Sequence, residues 1–178
     1  MTGRVSSMVD EPEGQEPIPN TYWVETGRLL AGEYPGAFDE RRARRRLRWL
    51  LEQGVDYCLD LTEAGEYGLP GYAPWLVEEA THAGRQMTHR RISIPDYSTP
   101  PPGSMVRILD TLDDALQSGH VVYVHCYGGK GRTGTVIGCY LARHGMHGQA
   151  ALQRLTFLRE GSPDTEEQRK LVLHWREG

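Results

Sequence analysis

The stretch His125-Cys126-Tyr127-Gly128-Gly129-Lys130-Gly131-Arg132-Thr133-Gly134-Thr135 follows directly on Val121–Val124, and its reading decides the fold. Val121 to His125 (VVYVH) is a β-branched run too short for a helix, so it predicts a buried central strand. A helix is expected to start near Thr133, with Val136, Ile137, Tyr140 and Leu141 along it. Strand, glycine-rich loop and helix in that order turn backbone N–H groups and the positive end of a helix dipole into one concavity. Gly128, Gly129 and Gly131 let the loop curl with its amides inward, including positions at φ > 0. Such a nest holds a tetrahedral oxyanion and favours a reactive thiolate at its centre, Cys126. Arg132, six residues further on, can grip two phosphate oxygens with its planar fork. The Thr133 hydroxyl can donate to the thiolate, and His125 can orient the loop. A thiolate in a phosphate-sized nest with an arginine clamp is a nucleophile aimed at phosphorus. Lys130 precedes Gly131 rather than Ser or Thr, so the loop is not a Walker A loop.

Outward from this loop, helices and strands alternate. Tyr22–Val24 and Arg28–Ala31 read as short strands joined by a turn at Gly27. Asp39 can cap a helix whose inner stripe is Ala43, Leu47, Leu50 and Leu51, closed by Gly54. Val55–Leu61 and Met87–Ile94 are strands, Trp75–Ala80 lies in a helix, and Met105, Ile108, Leu109, Leu112 and Leu116 recur at helical spacing. Pro95 and Pro100–Pro102 impose an ordered, non-helical loop. Beyond the helix after Cys126, Leu152, Leu155 and Leu158 mark another. Leu171, Val172 and Trp175 mark a last one, starting at Asp164 or Thr165. The alternation predicts an α/β fold with a central, mostly parallel sheet flanked by helices and ligands beyond the carboxyl ends of the strands.

The chain of 178 residues is sized for one domain, expected over 20–178. Residues 1–19 read as a disordered acidic tail: four acidic side chains, Pro12 and Pro17 fall within residues 1–17, without apolar periodicity. Twenty Lys+Arg against 24 Asp+Glu leave a net charge of −4, which argues against a nucleic-acid partner. A mean hydropathy of −0.56 and no apolar run near the ~20 residues of a membrane span exclude a membrane protein and stable membrane association. The N-terminus has no apolar export core, and three cysteines make no disulfide framework, so a cytoplasmic protein is expected. The pair His144 and His147 is followed by no further ligand cluster, and no metal is expected.

Cys126-x5-Arg132-Thr133 behind His125 matches the signature H-C-x5-R-[S/T]. HCYGGKGRTGT resembles the compact dual-specificity branch of the cysteine-dependent protein tyrosine phosphatases, its bacterial members above all. The resemblance runs over most of residues 20–176, including WVETGRLLAGEYPG at 23–36 and DLTE at 60–63. It implies a dual-specificity/tyrosine phosphatase-like fold and phosphomonoester hydrolysis without cofactor or metal. In it, Cys126 forms a phosphocysteine while Tyr127, Gly128, Gly129, Lys130, Gly131 and Arg132 hold the phosphoryl group. Ile94-Pro95-Asp96-Tyr97-Ser98-Thr99-Pro100-Pro101 follows a strand and resembles the family's mobile acid loop, with Asp96 as acid and then as base for water. Asp60, at the end of a strand, is the alternative acid. Gln168 is a candidate to position the hydrolytic water, or a capping-box partner of Thr165.

The implied partners are phosphorylated proteins, phosphotyrosine first and phosphoserine or phosphothreonine next, or small phosphorylated molecules, with a phosphate or other oxyanion at the loop. The alternative is a phosphoinositide or inositol phosphate. Lys130 within GKGRTG resembles the loop of phosphatase-and-tensin-type enzymes, where a lysine helps bind extra phosphates; it reads equally as a solvated cation. Tyr127 stands where lipid-directed relatives commonly carry a basic residue, and its ring can flank an aromatic phosphoester. The six arginines of RRARRRLR at 41–48 read as a solvent face, and Arg90 or Arg91 can point toward the pocket. Cys58 and Cys139 read as core residues, and whether Cys58 can pair with Cys126 is a matter of geometry.

Overall fold

The computed structural model describes residues 14–176. Five strands, β1 (Tyr22–Glu25), β2 (Leu29–Gly32), β3 (Tyr57–Asp60), β4 (Thr88–Arg91) and β5 (Val122–His125), form one sheet in the order β1-β2-β5-β3-β4. β1 and β2 are an antiparallel hairpin, and every other pairing is parallel. The helices are α1 (Glu40–Glu52), α2 (Ala73–His82), α3 (Pro102–Gln117), α4 (Gly131–Arg143), α5 (Gly148–Leu158) and α6 (Glu166–His174). This is the expected architecture.

Side chains alternate across the sheet, so each strand feeds two cores. Leu30, Cys58 and Tyr123 pack with Leu47 and Leu50 of α1 and Leu76 of α2. Leu29, Ala31, Leu59, Val122 and Val124 pack with the inner faces of α3, α4, α5 and α6. β5 is buried on both faces, as its β-branched run requires, and lies between β2 and β3. The chain reverses its direction across the sheet there, which opens a crevice at the carboxyl end of β5. Truncating a fully buried leucine such as Leu47 or Leu59 is expected to cost about 2–5 kcal/mol.

The structure differs from the sequence reading at several places. α3 begins inside the proline run, at Pro102, because a proline at the first helical position lacks only an N–H that has no intrahelical partner anyway. α4 begins at Gly131, two residues ahead of Thr133. Of the expected tail, residues 1–13 lie outside the described residues, but Ile18 is buried and the Glu16 carboxylate meets Arg42 (2.7 Å), Arg45 (3.2 Å) and Arg46 (3.4 Å). The arginines of α1 are therefore an ion-pair lattice rather than an open cationic face. Arg44 binds Glu40, Glu78 and Glu79, and Arg46 is buried.

Candidate active site

β5 ends at His125, and Cys126, 3% exposed, opens the loop that leads into α4. The loop is shaped by turning its carbonyls outward. The carbonyl of Cys126 accepts from His125 Nδ1 (3.1 Å), that of Tyr127 from the Tyr34 amide (2.9 Å) and that of Lys130 from the Ser162 hydroxyl (2.8 Å). Among the described residues, no backbone carbonyl takes the amides of Tyr127 through Arg132. Gly129 adopts φ +67°, and a Cβ there would lie 2.4 Å from the Gly32 carbonyl carbon, so the loop sits directly on the end of β2. Gly134 gives way in the same manner to Ser162.

Arg132 rises from the first turn of α4, 1% exposed. A guanidinium has five N–H donors. Glu66 takes one from Nη1 (2.7 Å) and one from Nη2 (2.6 Å), and the Ile94 carbonyl takes the other of Nη1 (3.0 Å). Nε and the remaining Nη2 hydrogen share one edge, the fork that grips two oxygens of a phosphate. Asp96 Oδ1 stands 3.1 Å from Nη2, and Nε is buried without a partner. The Thr133 hydroxyl is buried and unpaired as well. Glu66 was not legible in the sequence: it lies in the irregular stretch TEAGEYGLPG at 62–71, 66 residues from Arg132.

His125 is fully buried, and burial pushes its imidazole below the ordinary value, so it is neutral. A carbonyl only accepts, so Nδ1 carries the proton toward the Cys126 carbonyl and Nε2 accepts from the Tyr72 hydroxyl at 2.5 Å. The Tyr72 oxygen then accepts from the Cys58 thiol at 3.1 Å. Burial raises the Cys58 thiol well above its usual range, which suits that donor role. All three cysteines are free thiols, and Cys58 packs in the cluster with α1 and α2 while Cys126 packs in the opposite one, so the two are not bridged.

The two carboxylates weighed as acid have different surroundings. Asp60 is fully buried, and burial works against its ionisation. The positive charge that the His125 ring, 3.8 Å away, takes on in acid and hydrogen bonds from His89 and from the Thr62 hydroxyl and amide outweigh it and hold the carboxyl below the usual range. Arg91 completes the set at 2.7 Å. Asp60 is therefore a buried anion engaged by Arg91, His89 and Thr62, and the Arg91 guanidinium is bound to it through Nε and Nη2. Asp96 is partly exposed, on the loop after β4, with Oδ2 accepting from the Tyr67 hydroxyl. That bond, more than burial, pushes Tyr67 up to about 12. The rings of Tyr67 and Tyr127 meet at 4.8 Å beside it.

Gln168 takes the capping-box role. Its Oε1 accepts from the Thr165 and Asp164 amides, and its Nε2 donates to the Ser98 carbonyl (3.2 Å) on the Asp96 loop. Lys130 pairs with Asp164 at 3.3 Å. His144 binds Asp113, and His147 caps α5. None of the described helices is long and apolar enough to cross a membrane.

A buried cysteine at the head of a glycine-rich loop, with a buried arginine on the helix that follows, is the arrangement expected of a phosphatase-type domain. Within that class the chain belongs to the family PTP-SAK (Swiss Army Knife protein, DSP-PTPase phosphatase domain), which matches residues 19–174. It is 30% identical over 120 residues to phosphatidylinositol 3,4,5-trisphosphate 3-phosphatase cnrN of Dictyostelium discoideum, covering 65% of this chain and 17% of that protein. It is 29% identical over 174 residues to protein tyrosine phosphatase domain-containing protein 1 of Mus musculus, covering 93% of this chain and 22% of that protein. The chain thus spans about a fifth of the length of these relatives. Among solved structures, the active form of Tk-PTP superposes with a TM-score of 0.67 at 25% identity, over 86% of this chain and 94% of that one.

Proposed function

We propose that this domain hydrolyses phosphomonoesters, phosphotyrosine in polypeptides first, through a phosphocysteine at Cys126. The observation that carries the reading is a pair of buried donors without an acceptor at the start of α4, Arg132 Nε and the Thr133 hydroxyl, with Asp96 Oδ1 at 3.1 Å from the Nη2 beside Nε. A buried donor without an acceptor costs about 1–3 kcal/mol, and a phosphoryl group satisfies both at once. The Cys126 sulfur attacks phosphorus and the P–O ester bond breaks, its electron pair going to the ester oxygen, which takes a proton from Asp96. The loop amides and Arg132 hold the three equatorial oxygens throughout. Water then attacks the phosphocysteine and gives a proton back to Asp96. The S–P bond breaks, and the Thr133 hydroxyl stabilises the departing thiolate. Gln168 serves this cycle by tying the acid loop to α6 rather than by holding water.

Two features favour phosphotyrosine over inositol phosphates. The Tyr67–Tyr127 pair gives the mouth aromatic flanks, and Lys130, the cation that an inositol polyphosphate would need, is held by Asp164. The likeness to cnrN, named for a phosphoinositide, keeps that substrate as the competing reading. A reducing cytoplasm, where the three thiols stay free, fits the enzyme. The test is phosphate release from a phosphotyrosine peptide, a phosphoserine peptide and a phosphoinositide panel, with Cys126→Ser as blank. The reading expects the tyrosine peptide to lead and Cys126→Ser to lose on the order of 10⁴-fold or more. Faster release from the lipids would replace the substrate, and turnover by Cys126→Ser would remove the mechanism.

A further inference from the structure

Beside the phosphate loop lies a cleft of about 460 Å³ that the chemistry above does not use. Tyr127 and Gly128, the first residues after Cys126, form one wall. Phe38 and Tyr34 from the β2–α1 connection, Leu69, and the stems of Arg42 and Arg46 form the rest. Its volume is that of a ligand pocket. Its charges are already matched: Arg42 and Arg46 share Glu16, Arg46 also faces Glu33 at 3.9 Å, and Asp39 caps α1 through the Arg42 amide at 2.7 Å. A second phosphate entering the cleft would compete with Glu16 for Arg42 and Arg46 and would meet Glu33 and Asp39 in the wall, whereas a neutral apolar group would do neither.

The surface around the cleft points the same way. Six large apolar or aromatic side chains are exposed among the described residues. Four of them follow one another across this face: Tyr97 beside Asp96, Tyr67 bonded to Asp96, Tyr127 against Tyr67, and Phe38, 72% exposed, at the far side of the cleft. Clustered exposed aromatics mark an interaction surface, and an inositol ring has no apolar side chain to offer them.

We infer that this cleft is a specificity subsite that receives an apolar side chain, leucine-sized or aromatic, from the substrate polypeptide near its phosphotyrosine. The inference rests on the phosphotyrosine reading and adds to it which sequences are preferred. An extended peptide advances roughly 3.3 Å per residue, so a residue one to three positions from the phosphotyrosine reaches a cleft that shares Tyr127 and Gly128 with the phosphate loop.

The test compares phosphotyrosine peptides carrying Gly, Leu, Phe or Asp at each of the three positions on either side, together with 4-nitrophenyl phosphate, on the full chain and on Phe38→Ala and Phe38→Leu. One position is expected to gain about tenfold in kcat/KM for Leu or Phe over Gly, through KM. Phe38→Ala should erase most of that gain, Phe38→Leu should keep it, and turnover of 4-nitrophenyl phosphate should not change. Indifference to every flanking residue, a gain for Asp instead, or an equal loss by Phe38→Ala on the small substrate would each overturn the subsite. A wild-type protein that turns over 4-nitrophenyl phosphate and inositol phosphates but no phosphotyrosine peptide would overturn the phosphotyrosine reading itself, and the subsite with it.

Discussion

Residues 126–131 and the segment Thr62–Gly71 meet at Arg132, and they are held in place by different means. In the phosphate loop, backbone carbonyls are pinned by His125, Tyr34 and Ser162, three partners from separate parts of the chain, and Gly129 is pressed on the end of β2. The segment over it bonds mostly to itself, Glu66 to Glu63, Gly68 to Gly65 and Leu69 to Glu66. Gly65, Tyr67 and Gly68 all have positive φ. Side chains do most of the rest: Glu66 on Arg132, Tyr67 on Asp96, and Tyr34 donating to the Pro70 carbonyl. The loop that carries Asp96 resembles this segment, with a local Ser98–Pro95 turn, Tyr97 at φ +56° and side-chain ties from Gln168, Tyr67 and Arg132. The difference separates two requirements of catalysis. The donors that meet developing charge are fixed before substrate arrives. On the proposed mechanism the groups above it, held chiefly by side-chain contacts, are the ones free to adjust.

The strongest challenge to this division is Asp96→Asn. It should lower kcat by about 10²–10⁴ on a substrate with a poor leaving group, and much less on an activated aryl phosphate. Equal losses on both would make Asp96 a support of the cover rather than its working group. Next is a pair of glycines. Gly129→Ala forces a methyl group against the Gly32 and Glu33 backbone and should cost about 10² in kcat/KM by displacing the nest. Gly65→Ala has open space around it and only the left-handed backbone to bear. It should cost about 1–2 kcal/mol of stability with turnover changed only a few-fold. If the two variants lose activity equally, the contrast between fixed nest and adaptable cover fails.

How much of this was legible in the sequence follows from the range of each interaction. Asp39 as a cap, the stripe Ala43, Leu47, Leu50, Leu51 and the strand–loop–helix at Cys126 are local patterns, and each is present, with α4 starting two residues early. Asp96 is singled out by the resemblance of Ile94–Pro101 to the family's acid loop, and the structure has it within 3.1 Å of Arg132. Glu66, Tyr67 and Tyr72 could not be placed, because they act across dozens of residues from a stretch without periodicity. Gln168 was half legible: the capping box is written in Thr165-x-x-Gln168, but the bond to Ser98 is not. Asp60, the alternative acid at a strand end, is surrounded by Arg91, His89 and Thr62, long-range and local partners of which only Thr62 is close in sequence.

The smallest effect expected is on stability. His125 has its folded-state pKa depressed by burial, so its contribution is full above the unfolded value of ~6.5 and declines as pH falls toward the folded one. Asp60 is depressed too, so its contribution is present above ~3.9 and is lost only in stronger acid. The urea midpoint should therefore drift downward from about pH 7.5 to about pH 5, where His125 dominates. A midpoint that rises over this range would contradict a neutral His125 beneath the loop.

The central claim is that the pinned loop presents Cys126 to phosphorus and that a phosphocysteine results. The direct measurement is acid quenching of the full chain during turnover of a phosphotyrosine peptide, followed by peptide mapping by mass spectrometry. The account predicts one phosphoryl group, on the peptide containing Cys126, absent from Cys126→Ser and still formed when Asp96→Asn is given an activated aryl phosphate. Phosphate released in a single turnover with Cys126 unmodified at every quench time, or a phosphoryl group on another residue, would contradict it.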